Sequence, residues 1–470
     1  MKIIDLEIKG ITANSKEVKK GFLFVAIKGS RIDGHRFLRE AARRGAAMAV
    51  TESKILPAHL PGGMAVVTVD NCRKFFAQAA DKFYGSPSAK IKVSGITGTN
   101  GKTTVAYLIE AIAKEAGQAC GVIGTINYRF KGKLIKAKNT TPAAGQLQEL
   151  LLRMHQAKVR YCAMEVSSHA LDQERVGGID FRQGIFTNLT QDHLDYHKNL
   201  EDYFQAKAKL FSSLKPQAWA VVNHDDPYGR RLKSLTGARI WTYGIKQKSD
   251  LMAKNIQLSI TGTEFSLVTA QRSLRVKTRL IGRHNIYNIL AAASWGLNEQ
   301  IPLFKIKSAI EKFASVPGRL EKVRAPQGWN IFVDYAHTPD ALQNVISTLR
   351  QLVAGRLIVV FGCGGERDKL KRPQMGRIAT RLADVAIITS DNPRSEKPRQ
   401  IIKDILRGVR KNNYRLIVDR RQAIRKGLSL LKAQDCLLVA GKGHEDYQVL
   451  KNKTISFSDV KVIKECLKSI

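Results

Sequence analysis

The sequence predicts an α/β protein of three domains, on three observations. The chain has 470 residues, and single hydrophobic cores rarely grow past roughly 250 residues. An apolar run at 91–96 leads into Gly98-Thr99-Asn100-Gly101-Lys102-Thr103-Thr104 and then into an Ala/Ile/Leu-rich helical pattern over 105–116, closed by Gly117. Beyond Val316-Pro317-Gly318-Arg319, β-branched runs alternate with helical stretches, the pattern of a parallel sheet wrapped by helices. The expected architecture is therefore a small N-terminal domain over 1–87, a central P-loop mononucleotide-binding α/β sheet over 88–316, and a C-terminal doubly wound, Rossmann-like α/β domain over 317–470.

In the first unit, residues 22–27 read as a strand. Asp33-Gly34-His35 turns into a helix over 36–44, strands follow at 46–51 and 65–69, and Gly85-Ser86-Pro87-Ser88 reads as a linker. In the second, apolar runs at 161–166, 184–188 and 218–222 read as central strands. Each ends in polar residues, where an open α/β sheet places its ligand. Residues 255–281 alternate polar and apolar, as antiparallel strands do, and 285–297 is a helix. In the third, strands are expected at 331–333, 357–361, 385–389 and 437–440.

Hydrophobic content of 44% and charged content of 25% are ordinary for a globular protein. No apolar run approaches the ~20 residues that span a bilayer. Charge interrupts the first nine residues too early for a signal peptide, so a cytoplasmic location without membrane insertion is expected. The six cysteines are far apart and none forms a C-x₂-C pair, which excludes zinc-finger and thioredoxin-like readings and leaves buried free thiols. The net charge is +38, spread along the chain rather than gathered in a tail. That favours a generally basic surface, which speeds capture of anionic substrates, over a dedicated nucleic-acid footprint.

Glycines let backbone N–H groups close around phosphate oxygens, and the following helix N-terminus adds partial positive charge. Lys102 then neutralises the outer phosphates, and the Thr103 hydroxyl is placed for Mg²⁺. The loop is a shortened form, with Ile96 where the usual pattern has glycine. Glu165, in Glu165-Val166-Ser167-Ser168-His169, ends an apolar strand opposite this loop. It is either a Mg²⁺ ligand or a paired structural carboxylate. The stretch Asn188 to His197, with His193, His197, Asp192 and Asp195, either holds a metal or anion or consists of satisfied loop residues. Three loops of the third unit follow strands: Gly362-Cys363-Gly364-Gly365-Glu366-Arg367-Asp368, Asp391-Asn392-Pro393-Arg394 and Gly441-Lys442-Gly443-His444-Glu445. Together they point to one shared site, where Arg394 offers a planar fork for a carboxylate.

These motifs, with Asn139-Thr140-Thr141-Pro142 and Asp192-His193-Leu194-Asp195-Tyr196-His197, resemble the Mur ligases over the whole chain. Those are the ATP-dependent amide-forming enzymes of peptidoglycan precursor synthesis. Within the family the motifs are most similar to the branch that adds meso-diaminopimelate to UDP-N-acetylmuramoyl-L-alanyl-D-glutamate through an acyl phosphate. The resemblance implies ATP and Mg²⁺ as cofactors and small molecules as the partners, with no specific nucleic acid and a monomeric state. It implies that Gly98, Thr99, Asn100, Gly101, Lys102, Thr103, Thr104, Asn285, Asn288, Arg319 and Asp334 bind ATP. It implies that Ser15, Ser30, Arg31, Ile32, Asn139, Thr140, Thr141, Ser167, Gln173 and Arg175 bind the UDP-muramoyl dipeptide. Arg367, Asp391, Asn392, Pro393, Arg394, Gly441 and Glu445 would bind diaminopimelate. Lys102, Glu165, His193 and Lys207 would be catalytic. The metal would be held by Thr103, Glu165, His193 and Lys207, the last matching a lysine that the family carbamylates. The family has glycine where this chain has Pro142. Three alternatives stay open: the same ligation with L-lysine, a ligase like folylpolyglutamate synthase, which shares the loop form, and a nucleic-acid-stimulated P-loop ATPase.

Overall fold

A computed structural model describes residues 2–3, 6–29, 32–52, 60–193 and 196–468. Five sheets are present among them, and three of these organise the chain. The N-terminal sheet is all parallel, with strands Gly10–Thr12, Phe22–Val25, Met48–Thr51 and Ala65–Thr68 side by side in chain order. Its alternating side chains serve two small cores. Leu23, Val25 and Val50 pack on helix Cys72–Phe83, while Phe24 and Ala49 pack on helix Leu38–Arg43.

The central sheet has eleven strands. Strand Lys92–Thr97 lies in its middle, flanked in parallel by Tyr161–Glu165 and Phe181–Phe186. The strands are continuously apolar because both faces are covered. Helices Lys102–Glu115 and Arg283–Asn298 cover one face, around a fully buried Trp295. Helices Ala144–Gln156 and Leu200–Ser212 cover the other. The antiparallel strands expected over 255–281 form, but they do not stand apart. Strand Leu251–Ser259 pairs in parallel with Arg239–Gly244 and so extends the central sheet. A hairpin at the opposite edge, Asn127–Phe130 with Lys133–Lys136, was not expected.

The C-terminal sheet runs in the order Glu321–Val323, Asn330–Asp334, Cys436–Ala440, Leu357–Phe361, Val385–Ile388, Tyr414–Leu416, and is parallel after its first strand. Helices Pro339–Leu352, Lys371–Leu382 and Pro398–Leu406 cover one face, and Arg420–Ser429 and Asp459–Leu467 the other. This is the doubly wound arrangement. Its chain leaves the central strands toward opposite faces, which opens a crevice at their carboxyl ends.

Two local expectations differ. The segment read as a linker is an ordered connector: Pro87 and Ser88 are buried in a 3₁₀ turn, Pro87–Ala89, and Ser88 Oγ accepts the Asp180 N–H at 3.0 Å. The helix expected over 36–44 begins as a 3₁₀ turn, Gly34–Phe37, because the Asp33 carboxylate caps the His35 N–H at 3.0 Å. All six cysteines are free, and five of them are buried.

Behind the C-terminal crevice, Arg420 donates to Asp459 from Nε at 2.8 Å and from Nη2 at 2.7 Å, with both side chains 0% exposed. Arg420 Nη2 also donates to the Ala440 carbonyl at 2.9 Å, at the end of a central strand. Removing one partner of such a pair strands a buried charge. Asp459→Ala should therefore lower unfolding stability by about 3–5 kcal/mol in urea titration, and a loss below about 1 kcal/mol would contradict this assignment.

Candidate active site

The turn after strand Lys92–Thr97 is shaped by two glycines in the left-handed half of backbone space, Gly98 at φ 142° and Gly101 at φ 90°. A side chain at Gly98 would collide with Thr187 Oγ1, and one at Gly101 with Asn288 Oδ1. The turn is braced from the neighbouring strand end. Asn188 accepts from the Asn100 N–H at 3.0 Å through Oδ1 and from the Thr99 N–H at 2.8 Å through its carbonyl. Helix Lys102–Glu115 starts directly from the turn without a side-chain cap, so its first N–H groups are available to an anion. Lys102 folds back over the loop, donating to the Gly98 carbonyl at 2.8 Å and the Thr99 carbonyl at 2.9 Å. Burial lowers its pKa, while Glu165 and Asp192 pull it back up.

Glu165 is 1% exposed at the end of its strand. One oxygen accepts from Thr103 Oγ1 at 3.0 Å and Thr125 Oγ1 at 3.0 Å, and the other from the Thr125 N–H at 2.9 Å. Hard oxygen donors thus meet at the start of helix Lys102–Glu115. Among the described residues, no three His, Cys, Asp or Glu side chains gather into a cage of their own. A Mg²⁺ ion that takes one or two carboxylates plus phosphate oxygens fits such a donor set.

Lys207, on helix Leu200–Ser212, is 1% exposed. Its Nζ donates to the Gly98 carbonyl at 3.0 Å and lies 4.2 Å from the Tyr203 ring centre. Two lysines therefore converge on one carbonyl oxygen. Burial first, and the Lys102 cation second, push the Lys207 pKa well down. His193 is 45% exposed beside Asp192, with positive φ, and its ring packs edge-on to His169 at 4.9 Å. His197 lies elsewhere in this cluster, at 3.0 Å from Ser168 Oγ. Asp195 and Leu194 lie outside the described residues.

The residues expected around adenosine sit at the junction of the second and third units. Asn288 donates to Asn285 Oδ1 at 3.0 Å, and Asn285 donates to the Ile281 carbonyl at 2.9 Å. Asp334 is buried and committed to the backbone: it accepts the Leu320 N–H at 2.7 Å and the Ala336 N–H at 2.8 Å. Burial raises its pKa and Arg319 opposes the rise. The Tyr335 ring lies 5.0 Å from the Arg319 guanidinium, 4.6 Å from the His337 ring and 4.8 Å from the His444 ring. Asp340, which the sequence reading missed, joins the two units. Its Oδ2 accepts from Asn100 at 3.1 Å and from Thr190 Oγ1 at 3.0 Å.

The substrate-loop residues split. Thr141 is fully buried, and its hydroxyl donates to the Glu165 carbonyl at 2.8 Å while accepting the Ser167 N–H at 3.1 Å. Arg175 clamps the same turn from Nη1 to the Thr141 carbonyl at 2.9 Å and reaches Gln173 Oε1 at 2.7 Å. Thr140 Oγ1 is 3.1 Å from Thr125 Oγ1, and the Asn139 carbonyl accepts from Tyr128 at 2.6 Å. Ser15 donates to Glu40 at 2.9 Å within the N-terminal unit, and Ile32 is 61% exposed. Ser30 and Arg31 lie outside the described residues.

All three C-terminal loops meet at the carboxyl ends of their strands. Arg394 holds a left-handed backbone at φ 53° and donates from Nη1 to the Gly365 carbonyl at 2.6 Å. Asn392 donates to Glu445 Oε2 at 2.8 Å. Gly441 leaves no room for a side chain because Asp391 Oδ2 stands 2.5 Å from where its Cβ would be. Pro393 is buried and Arg367 exposed. Lys442, inside the motif Gly441 to Glu445, carries no role that the sequence alone points to. It is 0% exposed and donates to Glu445 Oε2 at 2.9 Å and Asn392 Oδ1 at 3.2 Å.

Comparison with known proteins adds three matched families in succession. These are the Mur ligase family, catalytic domain, over residues 7–84; the Mur ligase middle domain over 96–296; and the Mur ligase, glutamate ligase domain over 318–443. A UDP-N-acetylmuramoyl-L-alanyl-D-glutamate--2,6-diaminopimelate ligase of Clostridium botulinum is 45% identical over 467 residues, covering 99% of this chain and 96% of the relative. A protein of the same name from Aquifex aeolicus is 45% identical over 461 residues, covering 98% and 94%. A solved structure of a ligase with that name superposes with a TM-score of 0.72 at 32% identity, covering 98% of this chain and 95% of that one.

Proposed function

The chain belongs to the Mur ligase family, and we propose that it is the member that joins meso-diaminopimelate to UDP-N-acetylmuramoyl-L-alanyl-D-glutamate, with cleavage of ATP to ADP and phosphate, in cytoplasmic peptidoglycan precursor synthesis. Residues 1–87 take the UDP portion, 88–316 take ATP, and 317–470 present the incoming amino acid. One observation carries the substrate reading. Arg394 and Glu445 are linked through Asn392, whose carbonyl lies 3.5 Å from Arg394 Nη1 and whose amide donates to Glu445 at 2.8 Å. A guanidinium and a carboxylate held together match the carboxylate and ammonium at the far end of diaminopimelate. Relatives named for this ligation support the same choice.

A carboxylate is a poor acyl donor because its leaving group would be oxide. The glutamate carboxylate of the dipeptide therefore attacks the γ-phosphorus of ATP, and ADP leaves. The amine of diaminopimelate then attacks the acyl phosphate carbon, loses a proton, and expels inorganic phosphate. The chain's part is to position two anions and offset spreading charge. Lys102 exchanges its bonds to the Gly98 and Thr99 carbonyls for phosphate oxygens. The Tyr335, His337 and His444 rings provide a flat wall for the base and ribose, with Arg319 as its cation, since burial favours the neutral form of both imidazoles. Arg175, Thr140 and Ser167 line the approach of the dipeptide. Thr103, Glu165, His193 and a carbamylated Lys207 would hold Mg²⁺, which supplies charge neutralisation at the phosphates. Asp340 keeps the third unit against the phosphate loop, so that the amino acid is delivered to the acyl phosphate.

Lys102→Ala should lower turnover on the order of 10²-fold, because one preorganised cation at the developing charge is lost. Near-wild-type turnover in the folded variant would remove the loop from the mechanism. For the reaction as a whole, phosphate release should require the UDP-muramoyl dipeptide and diaminopimelate together. Stimulation by RNA or by a folate in place of the dipeptide would support the alternatives instead.

A further inference from the structure

We propose that Lys442 is a positioning residue that sets specificity for the amino acid. It neutralises Glu445 from behind, so that the pocket accepts a zwitterionic end and does not favour a lone cation. The inference rests on the substrate reading above.

The observations are local. Lys442 is 0% exposed, yet its ammonium is placed beside the ligand loops rather than toward solvent. It donates to Glu445 Oε2, the carboxylate assigned to the distal ammonium, at 2.9 Å and to Oδ1 of Asn392, which links Glu445 to Arg394, at 3.2 Å. The Val449 N–H also donates to Asn392 Oδ1, at 2.9 Å, so that oxygen is fully committed and the amide is turned with its NH₂ toward Glu445. Glu445 Oε1 makes no hydrogen bond among the described residues and is left to a ligand. The charges gathered around the adjoining Tyr447 ring are Arg394, Lys442 and Lys136 against Glu445, Asp446 and Asp391, and the nearby Arg420–Asp459 pair cancels itself. With Lys442 the set is balanced. Without it the set carries one net negative charge.

The distal end of diaminopimelate brings one carboxylate and one ammonium, so a balanced pocket suits it. L-Lysine brings the ammonium alone. In a balanced pocket that ammonium meets a carboxylate already half-committed to Lys442 and faces an unpaired Arg394. A repulsive element of this kind separates close analogues as effectively as an added attraction. Deleting the Lys442 charge makes the pocket anionic and attracts the lone ammonium, by about tenfold for one partly screened charge at this range.

The test measures L-lysine as a competitive inhibitor of meso-diaminopimelate ligation in the full-length wild type, Lys442→Met and Lys442→Gln. Glutamine keeps donors toward Glu445 and Asn392 but not the charge, so it separates charge from geometry and also serves if the methionine variant fails to fold. The expected result is a fall of about tenfold in the lysine Ki in both variants, with the KM for ATP unchanged. The wild type alone gives an independent reading: L-norleucine, which lacks the terminal ammonium, should compete at least as well as L-lysine. An unchanged or higher lysine Ki in the variants, or wild-type enzyme that binds lysine tenfold better than norleucine, overturns the proposal. Failure of the wild type to ligate meso-diaminopimelate would instead overturn the substrate reading on which it rests.

Discussion

Replacing Lys207 by alanine is expected to leave a folded protein with turnover reduced on the order of 10³-fold, more than the 10–100-fold typical when a residue merely supporting a metal ligand is lost. Lys207 lies within hydrogen-bond distance of the phosphate loop, 3.0 Å from the Gly98 carbonyl, and is almost fully buried. Left as an ammonium it would compete with Lys102 for that carbonyl and repel Mg²⁺. Burial and Lys102 both favour its neutral form, and a neutral amine is the form that takes up CO₂. Carbamylation adds the carbon of CO₂ to Nζ, releases a proton, and turns the side chain into an anionic metal ligand. The variant should be partly rescued by acetate, which can enter the vacated anion position. Intact-mass measurement under mild conditions should show the wild type heavier by one CO₂. Full activity of Lys207→Ala, or a fully active wild type with an unmodified amine, would refute this role.

Arg394→Ala should lower kcat/KM for meso-diaminopimelate about 10³-fold, mostly through KM, because the substrate's distal carboxylate loses its charged partner. The left-handed backbone of Arg394 adds to the case. A non-glycine residue held at φ 53° persists only where its surroundings over-determine it, and such positions concentrate at ligand sites. A variant with unchanged KM for diaminopimelate would show that Arg394 serves only the Gly365 carbonyl.

The strand–turn–helix that carries Lys102 was legible because its signal is local: a strand, a turn needing glycine, a lysine and a helix succeed each other within 92–115. The three C-terminal loops were legible for the same reason, each following an apolar strand. Lys442, Asp340, Thr125 and Arg420 were not assigned. Asp340 bonds to Asn100 across 240 residues of sequence, and no periodicity or motif in either segment announces the partner. Its local signal, a residue just inside a helix start after Thr338-Pro339, reads equally well as ordinary capping. Lys442 sat inside a quoted motif, but only the fold shows that its ammonium turns inward. Sequence also left open whether Glu165 was structural or catalytic. The structure gives its carboxylate three donors from Thr103 and Thr125, so it is held firmly at the phosphate helix. The extension of the central sheet to eleven strands was missed because alternation over 255–281 identifies antiparallel pairing but not the sheet it joins.

The central claim is that this chain adds meso-diaminopimelate to the UDP-muramoyl dipeptide. It is tested most directly by kcat/KM for ATP-dependent phosphate release with that dipeptide and either meso-diaminopimelate or L-lysine. A site built to pair a substrate carboxylate rejects the analogue lacking it by about 10⁴-fold, and a preference of that order for meso-diaminopimelate is the predicted result. Comparable values for the two amino acids, or a preference for L-lysine, would contradict the account.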